Sequence, residues 1–149
     1  MTSIPARSPQ TEALTAWLAT QVQAPIGHGA APDEPHGWTD APGDTPFIGY
    51  LVIHSIPGGQ IDGDLAHPSV DGDLVWQINT HGATQQQAER LADAVQQALL
   101  GQRPPLVIAG RALLWVRSDI PHGAARIDVD QPSIWWSTGR YRIGTTPAP

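Results

Sequence analysis

The chain contains no cysteine and no lysine. The first absence removes disulfides, thiolate zinc sites and cysteine nucleophiles together, and it fits a protein that folds in a cytoplasm. The second leaves all basic charge to eight arginines, set against 14 acidic residues for a formal charge of −6. Such a surface offers little to nucleic-acid phosphates, whose binding rests on several Lys/Arg contacts, so sequence-specific DNA or RNA binding is not expected. Also missing is any apolar run of the ~20 residues needed to span a bilayer. The opening MTSIPARSPQ lacks the apolar core of a signal peptide, and nothing directs the chain to a membrane.

What is present fits one domain. A chain of 149 residues can bury a single core, and 15 glycines with 15 prolines surround that core with loops. In SPQTEALTAWLATQV, Ser8 is placed to cap a helix with Pro9 at its first position, and Ala13, Leu14, Trp17, Leu18 and Val22 form an apolar stripe. A helix is predicted from about Pro9 to Gln23. Residues 24–46 hold five prolines and four glycines and are expected to form a long loop without helix or ladder.

FIGYLVIHSI (47–56) predicts a strand with apolar groups on both faces, followed by a turn-rich loop at 57–72. LVWQINT alternates Leu74, Trp76 and Ile78 with Val75, Gln77 and Asn79, the pattern of a half-buried antiparallel strand. In INTHGATQQQAERLADAVQQALLG, Thr84 and Gln87 have capping-box spacing, and Ala88, Leu91, Ala92, Val95 and Leu99 form a core stripe. Gly101 suits a left-handed C-cap. LVIAG suggests a short edge strand and residues 112–118 a firmer one. A loop at 119–132 with a short extended piece, a last strand at 133–145 and a frayed TPAP tail complete the chain. The expected class is α+β: a two-layer sandwich in which two helices cover one face of a mainly antiparallel four-stranded sheet, in the order α-β-β-α-β-β.

Catalytic and metal-binding patterns are weak. The six histidines include no pair at metal-ligand spacing, so no metal and no cofactor is expected. Asp62, Asp64, Asp71 and Asp73 come from two DGD turns, but LAHPSV interrupts the alternation that a calcium loop requires. There is no nucleophile elbow, no phosphate-binding loop, and no recognisable base beside the serines of HSI and HPS. An enzyme is therefore not expected, although a triad assembled from distant residues would leave no such local trace.

Two features point to interfaces. Trp135 and Trp136 adjoin in a strand and must face opposite sides of the sheet. One therefore stands on the face away from the helices, to be covered either by a partner subunit or by the 24–46 loop with Trp38. Gln85, Gln86, Gln87, Gln96 and Gln97 lie mainly off the core stripe. Amides cost less to desolvate than charges and both donate and accept, so Gln86 and Gln97 suit burial against another subunit; compositional bias is the plainer account.

The segment YLVIHSIPGGQIDGDLAHPSVDGDLVWQINTHGATQQQAERLADAVQQALLG resembles the tail terminator proteins of long-tailed, siphovirus-type bacteriophages, especially those of actinobacteria. The likeness runs over about residues 48–101, through the IPGG turn, the DG-L step and T--QAE-LAD-V--AL. It implies a virion protein, assembled in the bacterial host cytoplasm, that caps the tail tube as a ring, usually a hexamer, and docks head-side neck proteins. Its expected partners are further copies of itself, the tail tube protein and the head–tail connector. Genome DNA would pass through the lumen without specific binding, which a negative wall permits. By position, the contacts with neighbours would fall on the 57–72 loop with Asp62 and Asp64, the 119–132 loop and the outward member of Trp135 and Trp136. The alternatives are another neck component or, in a different class, a small cytoplasmic hydrolase or metal-dependent enzyme acting through His54 or His81.

Overall fold

The computed structural model describes residues 6–32, 49–62, 71–123, 126–127 and 134–149. Helices α1 (Arg7–Gln21) and α2 (Gln85–Leu100) pack on one face of a sheet built from β1 (Ile26–His28), β2 (Tyr50–Asp62), β3 (Asp71–Gly82), β4 (Arg111–Ile120), β5 (Arg126–Ile127) and β6 (Trp135–Pro147). The sheet runs β1-β2-β3-β6-β4, with β5 also paired to β6. Every pairing is antiparallel except β1 with β2. The expected α+β sandwich is therefore the observed one, with six strands among the described residues in place of four.

Alternation places the core. Leu51 and Ile53 of β2, Leu74, Trp76 and Ile78 of β3, and Tyr141 and Ile143 of β6 all turn toward the helices. They meet Leu14, Leu18 and Val22 from α1 and its C-cap, and Val95, Ala98 and Leu99 from α2. Two indole N–H groups tie the layers together: Trp76 donates to Thr11 Oγ1 at 2.8 Å and Trp17 to the Ala98 carbonyl at 2.9 Å. Burial of this many large apolar side chains, each worth about 1.5–3 kcal/mol, is what holds helices to sheet.

The Thr84 cap forms as the spacing predicts, and the return bond of Gln87 goes to the residue just before the cap. The Gln87 N–H donates to Thr84 Oγ1 at 3.1 Å, and the Ala83 N–H donates to Gln87 Oε1 at 2.7 Å. Thr80 Oγ1 adds a buried bond to the Ala88 carbonyl at 3.0 Å, so the helix start is pinned to β3. Gly49 precedes β2 with φ +88°, and a Cβ there would lie 2.5 Å from the His81 carbonyl oxygen. Only glycine accommodates both the left-handed backbone and that approach.

Several expectations are corrected. Helix α1 starts at Arg7 with Ala6 as its N-cap; Ser8 lies inside the first turn and bonds Glu12 Oε1 at 3.3 Å. The 24–46 loop contains β1, because a three-residue parallel ladder needs few N–H groups: Leu51 N–H reaches the Pro25 carbonyl and Gly29 N–H the Ile53 carbonyl, both at 2.9 Å. Residues 33–48, with Trp38, lie outside the described residues.

The two ends of the 57–72 loop are ladder, and residues 63–70 lie outside the described residues. β2 runs on to Asp62 and β3 starts at Asp71, and a register shift between Ile56 and Gln60 absorbs Pro57-Gly58-Gly59. Similarly, β4 extends into the 119–132 loop as far as Ile120, and β5 is the short extended piece expected there. LVIAG makes only the Ile108–Arg111 bridge, since Pro104-Pro105 lack N–H donors and Gly110 turns at φ +69°. Gly101 ends α2 in right-handed geometry (φ −69°), its N–H bonding the Gln97 carbonyl at 3.1 Å, so no left-handed cap is formed. The tail after Thr145, expected to fray, is held in β6 to Pro147, and the Ala148 N–H bonds the Gly110 carbonyl at 3.0 Å.

Candidate interaction surface on the open sheet face

The sheet face away from the helices divides in two. Toward β2 it is closed: Tyr50 and Val52 are buried, and Tyr50 stacks on His81 with ring centroids 4.5 Å apart. Toward β6 and β4 it is open. Here Gln77 and Asn79 of β3, Trp136 and Thr138 of β6, and Ile120 and Pro121 at the end of β4 surround a groove of about 420 Å³.

A hydrogen-bonded polar ladder forms its floor. Thr138 Oγ1 donates to Asn79 Oδ1 at 2.9 Å, Gln77 Nε2 donates to the same oxygen at 3.2 Å, and Arg140 Nε donates to Gln77 Oε1 at 3.2 Å. Next along the strand, Arg142 forms a two-pronged ion pair with Asp73, and Asp119 lies 3.9 Å from its second terminal nitrogen. The Asp73 hydrogen bond first, and its charge second, hold the Arg142 pKa above the ordinary value. Such pairs on an exposed face add little to folding. Their main effect is to hold the guanidinium groups in place.

Strand β4 adds to this face through an irregularity. Leu113 pairs with Thr145 but Trp115 with Gly144, so a bulge at Leu114 reverses the alternation. Without it Trp115 and Arg117 would turn toward the helices. With it, the Trp115 ring lies across Gly144, where a Cβ would collide with it, and the Arg117 guanidinium carbon sits 4.4 Å from the indole centroid. Three arginines, Arg117, Arg140 and Arg142, therefore share this face with two aspartates, Asp73 and Asp119. No carboxylate among the described residues pairs with Arg117 or Arg140.

The structure disperses the residues singled out in the sequence. Trp136 lines the open groove, while alternation puts Trp135 on the helix side; both are half-buried. Gln86 and Gln97 are exposed on the outer surface of α2, with the sheet between them and Trp136. Asp62 ends β2, its Cα opposite that of Asp71, and Asp64 lies outside the described residues. The ladder residues Gln77, Asn79, Thr138 and Arg140 were not singled out as a site, though the alternation of β3 and of W-T-R-R in β6 carries the signal. The bulge hides Trp115 and Arg117 from any such reading.

One serine–histidine contact bears on catalysis. His122 Nδ1 lies 3.2 Å from Ser137 Oγ, and Ser137 Oγ donates its own proton to the Gly123 carbonyl at 2.8 Å. The hydrogen bonding therefore assigns the proton between the pair to His122 Nδ1. Burial is the main reason that the His122 pKa falls to about 4, against an opposing contribution from Asp93. A histidine that donates to a serine 1% exposed is not its general base, so this pair is a structural bond. Among the described residues no three His, Asp or Glu side chains gather as a metal site, and no helix is long and apolar enough to cross a membrane.

No protein-family model matches the chain, and no curated protein matches it. Among solved structures it superposes on a chain of the virion of a native gene transfer agent particle, with 19% identity over 89% of this chain and 84% of that one, at a TM-score of 0.50. A second solved chain, 15% identical, covers 93% of this chain and 96% of its own at a TM-score of 0.46. At these identities the likeness is one of fold.

Proposed function

We propose that this protein is a structural component of a phage-like virion, and specifically that it closes a tail tube as a homo-oligomeric ring and presents the surface on which head-side neck proteins dock. The observation that carries the reading is the two-layer fold with one sheet face left open toward β6 and β4, a fold shared over most of its length with a chain of a gene transfer agent virion. The resemblance of residues 48–101 to tail terminators supports the finer assignment. The action is steric: a closed ring ends the growth of a tube by offering its next subunit no matching face.

In this reading Asp62, Asp64 and the outward Trp136 meet neighbouring subunits or the tube, and the amide surface around Gln86 and Gln97 meets a further partner. The ring is expected to have about six members, as the resemblance implies. The negative balance of the chain lets DNA slide through the lumen without being held.

The test has two parts. Light scattering after size exclusion, with negative-stain images, should show a ring of about six subunits; a monomer at every concentration counts against self-assembly. Particles assembled without the protein should carry over-long tails. Tails of normal length that fail to join heads would assign the protein to the neck instead.

A further inference from the structure

Going beyond the ring reading and independent of it, we infer that the outer edge of β4 pairs antiparallel with the same edge of a second copy of this chain, about a two-fold axis at Ser118. Strand β4 ends the sheet and is bonded to β6 on one side. Among the described residues nothing pairs with the backbone on its other side from Trp115 to Ile120. Arg117, Ser118, Asp119 and Ile120 are all exposed there, and Leu114 adds a second exposed large apolar side chain to the strand. An unpaired edge with apolar surface is a template for another strand, so folded proteins keep such edges short, bent or covered.

Charges on an edge commonly keep other strands away, but here their order invites one. Arg117-Ser118-Asp119 is its own complement when read antiparallel: with Ser118 opposite Ser118, each Arg117 meets Asp119 of the second copy. Opposed residues project on one face, so the two charges must share a face within a single chain. Arg117 lies over the Trp115 ring on the open face, and Asp119, which a register shift leaves without a partner in β6, reaches toward Arg142 on that same face. Both charges have capacity to spare. Asp73 already holds Arg142 on two prongs while Asp119 stands 3.9 Å away, and Arg117 has no carboxylate partner among the described residues.

The charges also select the register. Centring the axis on Arg117 or on Asp119 sets like charges opposite each other, and a half-step either way leaves both unpaired. Only the axis at Ser118 forms two reciprocal ion pairs, with a small neutral side chain where the strands cross the axis. Being isologous, the contact is complete with two copies and does not propagate, so it covers the edge without building a fibre. It adds to the head-to-tail contacts of a ring and does not replace them.

The experiment uses the full-length chain, which has no cysteine, so Ser118→Cys puts a single thiol at the axis. Opposed Cα atoms in a strand pair lie about 4.5–5.5 Å apart, within disulfide reach. Under mild oxidation Ser118→Cys should form a disulfide-linked dimer at least about tenfold faster than Ala19→Cys, exposed on α1, because pairing raises the effective thiol concentration. Adding Arg117→Asp to Ser118→Cys should slow the cross-link about tenfold by opposing carboxylates, and adding Asp119→Arg as well should restore it, since the swapped charges meet again. Thermal unfolding checks that each variant is folded. Equal rates for the two single-cysteine chains, or a charge-swapped chain no faster than the one carrying Arg117→Asp alone, overturns the pairing. Either result leaves the ring standing, which the size measurement reads separately.

Discussion

His122 and Ser137 are joined across 3.2 Å with the histidine as donor, because the serine proton is committed to the Gly123 carbonyl. His122 also lies against Gly139, where a Cβ would strike its ring, and tilts toward Tyr141 at 5.8 Å between centroids. Its Nε2 and the Tyr141 hydroxyl are both buried without a hydrogen-bond partner among the described residues. Burial accordingly lowers the histidine pKa and raises that of the tyrosine.

Stability should therefore depend on pH through His122. Its folded pKa of about 4 lies below the ordinary 6.5, so between these values the unfolded chain binds the extra proton. The contribution is fully present above pH 6.5 and is lost as pH falls toward 4, amounting at most to roughly 3 kcal/mol. Urea unfolding at pH 7 and pH 4.5 should show a steeper decline for the parent protein than for His122→Gln. Equal declines would mean that the imidazole titrates normally.

Thr145 should be a structural keystone. It is fully buried; its hydroxyl lies 3.3 Å from Gln10 Nε2 and 3.2 Å from Arg111 Nε, and its carbonyl accepts from the Arg111 guanidinium at 3.1 Å. Desolvation is the main influence on Arg111 and lowers its pKa, with nearby Asp71 opposing. Thr145→Val keeps the shape but removes the hydroxyl acceptor, leaving the buried Gln10 Nε2 without its bond at a cost of about 1–3 kcal/mol. Thr145→Ser should recover most of that in the same denaturation experiment.

Gly49→Ala should be costly despite its small size. The substitution meets a positive φ and the His81 carbonyl together, so a loss of more than about 2 kcal/mol is expected. Gly123, where a Cβ meets nothing within 4 Å, provides the control: Gly123→Ala should change the melting temperature little.

The sequence by itself determined the elements whose cause is local. Helix α2 was legible because a capping box spans three residues and a core stripe repeats every three or four; β3 was legible because alternation has period two. The open face of β3 was equally visible in Gln77 and Asn79. Tertiary structure alone decided the rest. Gln10 is buried at 0% in α1 because Thr145, 135 positions later, accepts its proton. Ser8 lost its expected capping role to a helix that begins two residues earlier. β1 became a strand only because β2 offered it an edge, and the β2–β3 hairpin lengthened because a register shift could absorb Pro57-Gly58-Gly59. Above all, the bulge at Leu114 exists only in the pairing of β4 with β6, and it decides that Trp115 and Arg117 join Arg140 on the open face. Periodicity records what a residue's near neighbours require. Which strand lies beside it, and on which side of the sheet its charge emerges, depends on partners that the chain brings together only by folding.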